Sequence, residues 1–212
     1  SIFLFLVIRK LQQIELQLIS LINQKKELKL KDLTMKLKIK VKVMAEGCMP
    51  VINEKGDWVD LKSAIDITIP APQSDVSKRK TVGTEKISYR NVEIPVYYIP
   101  LGVAMELPKG FEAIIDSRSS GPKKLGLFIP NGQGVVDNTY NGNDDQWHYV
   151  CSPMRETTIE VGDRICQFRI QLSQKATMWQ KIKWLLSSGI ELVEVDDLGD
   201  NNRGGFGTYG VK

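Results

Sequence analysis

Apolar and polar positions alternate with a period of two along much of the chain. The clearest case is residues 36–44, KLKIKVKVM, where Leu37, Ile39, Val41 and Val43 alternate with lysines. This spacing predicts a half-buried β-strand. Further strands are expected at 65–69, 92–99, 101–106, 111–115, 125–129, 147–151, 157–161, 164–172 and 190–195. Turn signals separate them: PKG at 108–110, GPKK at 121–124, NG at 131–132 and NGND at 141–144. Many short strands at such spacing argue for an all-β sandwich or barrel. One short helix is expected at 176–186, with Trp179, Ile182, Leu185 and Leu186 on one face and Gly189 as its stop. That face is expected to form a small satellite core.

Both ends read differently. Residues 1–34 begin with an apolar run at 2–8, then place Leu11, Ile14, Leu18 and Leu21 at helical spacing, then run into KKELKLKDL before Met35. An amphipathic helix for a membrane surface or a partner is one reading. Translated sequence upstream of a start at Met35 is the other, and the change of period at Met35 favours it. Residues 35–195 form the β domain. Residues 196–212 hold five glycines and little to bury except Phe206 and Tyr209, which predicts a mobile C-terminal arm.

Composition narrows the classes. The 212 residues are 42% apolar and 25% charged, enough to bury a core and too apolar for dominant disorder. The net charge of +4 is too small to argue for nucleic acid. Residues 1–34 hold six basic and three acidic side chains and so carry most of that excess. Cys48, Cys151 and Cys166 stand far apart with no CxxC pair, which excludes a zinc knuckle and fits a reducing, cytoplasmic setting. Any Ser-His-Asp or Cys-His mechanism would rest on the single histidine, His148, and no G-x-S-x-G elbow is present. No apolar run reaches 18 residues, so no membrane span is expected.

Five segments carry candidate chemistry. GDWVDLKSA at 56–64 sets Asp60 between apolar neighbours. DSRSSG at 116–121 offers the planar donor fork of Arg118 with the hydroxyls of Ser119 and Ser120, a set that suits phosphate oxygens and equally suits a capped loop. IPNGQGVVDNTYNG at 129–142 reads as a β-hairpin, with Asp137 directly after Val135 and Val136. A carboxylate in an apolar setting has a raised pKa and can act as a base. An aspartate before Asn-Thr also closes an Asx-turn. VGDRICQFRIQL at 161–172 starts at a Gly162-Asp163 turn, then puts Phe168, Ile170 and Leu172 on one strand face and Gln167, Arg169 and Gln171 on the other. RGGFG at 203–207 can offer successive backbone N–H groups to a phosphate, although such a tail also fits disorder. It is not a Walker A loop, since no GK[ST] follows.

Taken in order, these segments resemble the trimeric dUTPases (dUTP diphosphatases), particularly phage and Firmicute-type members, over about residues 35–212. The motifs are D-L-x-x-A (Asp60, Leu61, Ala64), R-S-S (Arg118 to Ser120), N-x-x-G-x-x-D-x-x-Y-x-G (Asn131, Gly134, Asp137, Tyr140, Gly142), G-D-R-I-x-Q (Gly162 to Ile165, Gln167) and R-G-G-F-G (Arg203 to Gly207).

The resemblance implies an all-β, jelly-roll-like barrel with a glycine-rich arm, assembled as a homotrimer with sites shared between subunits. It implies hydrolysis of dUTP to dUMP and pyrophosphate with Mg²⁺, in a bacterial cytosol or phage-infected host, without nucleic-acid or membrane partners. Asp137 matches the general base that activates water for attack on the α-phosphorus. Tyr140 matches the residue under the deoxyribose, and the backbone around Asn131 and Gly134 the part that reads uracil. Arg118, Ser119, Ser120 and Gln167 match phosphate-contacting groups, and Asp60 with Gln167 match groups that hold waters on Mg²⁺. Phe206 matches the aromatic that stacks on uracil, Arg203 the γ-phosphate contact, and Gly207 with Thr208 complete the arm. The arm departs from the common R-G-x-G-G-F-G-S-T-G form: it is shorter, and Tyr209 stands where a small hydroxyl is usual. Three other readings are a related dCTP deaminase, a nucleotide-gated regulator with a repressor-protein partner, and a purely structural trimer.

Overall fold

The computed structural model describes residues 35–89, 91–199 and 201–205, together with Gln13 and Leu16. Otherwise the expectations for 1–34 and for Phe206, Gly207 and Thr208 lie outside the described residues.

The strands are β1 (Met35–Val43), β2 (Val51–Ile52), β3 (Val59–Lys62), β4 (Ile67–Ile69), β5 (Gln73–Ser74), β6 (Lys78–Val82), β7 (Glu85–Tyr89), β8 (Val92–Glu93), β9 (Tyr97–Glu106) and β10 (Phe111–Ser117). They continue with β11 (Leu127–Phe128), β12 (Gly134–Asp137), β13 (Gln146–Pro153), β14 (Thr157–Ile159), β15 (Arg164–Leu172) and β16 (Ser187–Glu194). Helix α1 (Gly121–Lys124) follows β10, and α2 (Met178–Leu186) precedes β16. Two five-stranded sheets form the body, ordered β11-β13-β9-β1-β16 and β12-β10-β15-β3-β2. The β1–β16 pairing is parallel. The architecture is the jelly-roll-like all-β one expected.

The period-two pattern explains the core. Leu37, Ile39 and Val41 of β1 are fully buried while Lys36, Lys38 and Lys40 point outward. Each such aliphatic burial contributes about 1.5–3 kcal/mol. Both sheets feed one cluster, and Trp147 of β13 meets Phe168 of β15 edge to face with ring centroids 5.3 Å apart. The three cysteines sit in this cluster as free thiols.

Several expected elements change shape. The strands expected at 92–99 and 101–106 do not break at Pro100, because β9 runs through it. Pro100 keeps its place opposite His148, and the ladder slips just beyond it, between Gln146 and His148, in a bulge at residues 101–103. Gly102 sits in that bulge at φ 65°, where an added Cβ would lie 2.8 Å from Cys48. The GPKK turn is a one-turn helix, with Pro122 in its first turn where the missing N–H costs nothing.

The β6–β7 hairpin was not legible, since its strands are exposed throughout and Val82, Ile87 and Tyr89 share their one face with Lys78, Lys80 and Glu85.

Helix α2 starts at a capping box in which Thr177 and Gln180 bond reciprocally. The expected satellite core does not form. Trp184 leans on Phe111 at 5.4 Å, while Trp179 and Leu185 stay about four-fifths exposed.

Candidate active site

Strand β12 hangs on β10 in antiparallel register, with Gly134 opposite Ile115 and Asp137 opposite Glu112. The expected hairpin at 129–142 is not one. β11 pairs with β13 in one sheet and β12 with β10 in the other, so the exposed Asn131 turn crosses between sheets. The glycine turns are used to change sheet rather than to reverse beside the same partner.

Asp137 ends β12. Its Oδ1 accepts the Thr139 N–H at 2.8 Å and the Thr139 hydroxyl, the Asx-turn arrangement. Its Oδ2 accepts from the Arg203 guanidinium. Burial pushes this carboxyl up, but the two Thr139 bonds and the Arg203 bond and charge outweigh it. The net shift is downward. The raised pKa expected from the valines is therefore corrected: the carboxylate is 43% exposed and well supplied with donors. Tyr140 lies beside it, its hydroxyl donating to the Gln146 carbonyl at 2.9 Å. Burial, then the nearby Asp145 charge, raises the Tyr140 phenol, which stays protonated. The Gly205 backbone rides on the Tyr140 ring, close enough that a Cβ would come within 3.3 Å.

A second group of predicted residues gathers at the other end of the same sheet. Gln167 of β15 stands opposite both Asp60 of β3 and Asp116 of β10, and donates to the Ser117 carbonyl at 3.2 Å. Asp60, buried, binds Arg118 Nε at 2.8 Å and Arg164 Nη1 at 3.1 Å. Arg118 is thereby held on the turn that carries Ser119 and Ser120 into α1. A small cleft there is lined by Arg118, Ser120, Lys124 and Arg164.

The structure does not join the two groups within one chain. Asp137 faces Glu112 near the start of β10, whereas Arg118 follows its last residue, Ser117. Six residues of strand separate these levels, roughly 20 Å at about 3.3 Å per residue.

The described part of the arm bonds to residues 143–145 of the same chain. Leu198 N–H donates to Asn143 Oδ1 at 3.0 Å, and Asp144 N–H donates to Asn202 Oδ1 at 2.9 Å. The N–H groups of Arg203 and Gly204 reach the Asp145 carboxylate at 3.0–3.1 Å. Sequence reasoning missed Thr139, Asp145 and Arg164 as site neighbours. Arg164 lay inside G-D-R-I, but Asp145 lies just past the NGND turn at 141–144 and carries no sequence signal of its own.

Among the described residues no three His, Cys, Asp or Glu side chains gather as a metal site. Asp60 was expected to hold waters on Mg²⁺, yet each of its oxygens has a guanidinium partner. The single histidine, His148, bonds the Gln146 carbonyl and lines neither cleft.

The fold is a jelly-roll one that carries a half-exposed carboxylate paired with Arg203 at one level of a sheet and a buried aspartate paired with Arg118 and Arg164 at the other. No family model matches the chain. It is 36% identical over 177 residues to the SPbeta prophage-derived deoxyuridine 5′-triphosphate nucleotidohydrolase YosS of Bacillus subtilis (strain 168), covering 83% of this chain and all of that protein. A deoxyuridine 5′-triphosphate nucleotidohydrolase of Neorickettsia sennetsu is 34% identical over 116 residues, 54% of this chain and 68% of its own length. Among solved structures, the dUTPase of Streptococcus mutans aligns at TM-score 0.48 and 22% identity, over 62% of this chain and 91% of that one. The chain belongs to the dUTPase family.

Proposed function

We propose that the protein hydrolyses dUTP to dUMP and pyrophosphate by attack of water on the α-phosphorus. The observation that carries this is the identity to a named dUTP nucleotidohydrolase over that relative's whole length, with the five motifs in order. Asp137, ionised and at the lip of a cleft with Tyr140 and Arg203, activates the water. Tyr140 underlies the deoxyribose, and the Asn131–Gly134 backbone reads the uracil edge. Arg118, Ser119, Ser120 and Gln167 take the phosphates, aided by Arg203 once the triphosphate draws it from Asp137. Phosphoryl transfer needs positioning and charge neutralisation, which these groups supply. Mg²⁺ enters with the triphosphate as part of the substrate, because the described residues offer no cage and this ion is commonly held by phosphate oxygens and water.

The active unit is a homotrimer. Its support is the rough 20 Å between the Asp137 and Arg118 groups, too far to serve one reacting centre from one chain. A cytosolic location agrees with three free, buried thiols. Among the described residues no helix is long and apolar enough to cross a membrane. The names borne by the relatives favour dUTP hydrolysis over the deaminase, regulatory and structural readings.

The test is pyrophosphate release from dUTP, with dCTP, dTTP and UTP as controls, across Mg²⁺ concentrations. Release from dUTP alone is expected, reduced about 10²–10⁴-fold in Asp137→Asn. No release from any of the four would sink the reading.

A further inference from the structure

A buried carboxylate outside the five motifs holds the root of the arm. Asp145 is 1% exposed. It accepts the Gly142 N–H at 2.9 Å, the Arg203 N–H at 3.1 and 3.0 Å on its two oxygens, and the Gly204 N–H at 3.1 Å. A carboxylate so deep is tolerated only with such donors. Two of the three N–H groups come from a segment 58 or 59 residues further along the chain. The neighbours repeat the pattern. Asn143 receives Leu198 N–H and donates to Asp197 Oδ1 at 2.6 Å, and Asp144 accepts the Asn202 side-chain amide at 2.7 Å. At Gly142 an added Cβ would come within 2.6 Å of the Asn202 backbone, so the arm root and this turn approach as closely as glycine permits.

We propose that Asp145 is a positioning residue for dUTP hydrolysis. By fixing the backbone at Arg203 and Gly204, it sets where the Arg203 guanidinium stands at Asp137. The inference rests on the dUTPase reading for its effect on turnover, but the clasp itself can be measured without it. Nothing in the turn chemistry of NGND at 141–144 requires the next residue, Asp145, to bond a remote segment. A loop-stabilising role alone would need only the Gly142 contact.

The experiment compares four proteins: the unaltered chain, Asp145→Asn, a chain shortened after Gly199, and the shortened chain with Asp145→Asn. The asparagine keeps the shape and turns one acceptor into a donor. Asp145→Asn is expected to lower kcat/KM for dUTP at least tenfold and to speed amide hydrogen exchange at Arg203 and Gly204 at least tenfold. In the shortened chain the same substitution is expected to change kcat/KM less than twofold, since its effect passes through the arm. Should shortening abolish turnover, the Kd of a non-hydrolysable α,β-imido dUTP analogue is compared in the same four proteins, with the same pattern expected. Equal losses in both backgrounds, unchanged exchange, or raised activity in Asp145→Asn would overturn the proposal. If the unaltered chain fails to hydrolyse dUTP, the dUTPase reading falls, while the exchange rates still decide whether Asp145 clasps the arm.

Discussion

Arg203, at the root of the glycine-rich arm, bonds directly to the carboxylate of Asp137, the residue placed as the general base. The same ion pair that keeps the base ionised also occupies one of its oxygens. In the proposed reaction a triphosphate, with more charge than a carboxylate carries, draws Arg203 away and leaves the base free.

The pH dependence follows from that pair. The Asp137 carboxyl lies below its ordinary value: burial raises it, and Thr139 and Arg203 more than compensate. A base must be deprotonated to work, so in the free enzyme Asp137 imposes no acidic limb on kcat/KM above about pH 4. Arg203→Ala removes two of the lowering influences and moves the limb to higher pH. The ratio of kcat/KM at pH 5 to that at pH 7.5 is expected to fall in this variant relative to the unaltered protein. The linkage to stability has the matching sign: the contribution is complete above the ordinary aspartate pKa and is lost as pH falls through the lower folded value. Solvent screening keeps it small at this exposed site.

Asp60 is expected to matter through Arg118. Asp60→Ala leaves Arg118 without its 2.8 Å partner and Arg164 without its 3.1 Å one, around a buried position. The loss of stability is expected at about 1–3 kcal/mol, because the guanidinium groups can turn toward solvent. In urea unfolding this appears as a lower midpoint at constant slope. KM for dUTP is expected to rise more than kcat falls, since the phosphate fork is misplaced while the base is untouched. An unchanged KM would return Asp60 to a purely structural role.

The parts of this molecule that were legible in the sequence are those whose physics is local. Leu37, Ile39 and Val41 gave β1 by alternation alone, and Trp147 to Cys151 gave most of β13. The hairpin of β6 and β7 was missed because burial decides little there, and its lysines and its valine, isoleucine and tyrosine share faces. The 129–142 segment read as a hairpin because its turn residues are right; which sheet each arm joins depends on β10 and β13, which lie on either side of the segment and belong to different sheets. The site residues came from motif order, but their bonds did not. Of the two readings of Asp137, the Asx-turn is seen directly, and the base proposed for the reaction is the same carboxylate. Its meeting with Arg203, and the clasp at Asp145, depend on contacts that no local pattern encodes.

The cysteines are expected to be inert in the folded protein. Burial pushes the Cys151 thiol up to about 12 and the Cys166 thiol well above its usual value, and Cys48 is raised as well, with the nearby Lys62 opposing slightly. Thiolate is the reactive form, so all three lack both charge and access. An aromatic disulfide reagent at pH 8 is expected to label none of them within minutes in buffer, and all three in denaturant. Rapid labelling of one thiol under native conditions would show local opening of the sheet that carries it.

Separation of the Asp137 and Arg118 groups along β10 makes the sharing of sites measurable. Arg118→Ala and Asp137→Asn homotrimers are each expected to be nearly inactive, since every site lacks either a phosphate fork or a base. If a site takes Asp137 from one subunit and Arg118 from another, mixed trimers regain sites in which both donors are intact. With equal amounts and random exchange, such sites form about one time in four, because each of two independent subunits must be the right kind. Co-refolding the two variants is therefore expected to restore about a quarter of the unaltered activity. A site built within one chain would restore none, because every chain in the mixture carries one of the two lesions. The roughly 20 Å between the groups predicts the first result, and a failure to recover activity in verified mixed trimers would require the arm or the sheet to bring both groups together in a single subunit.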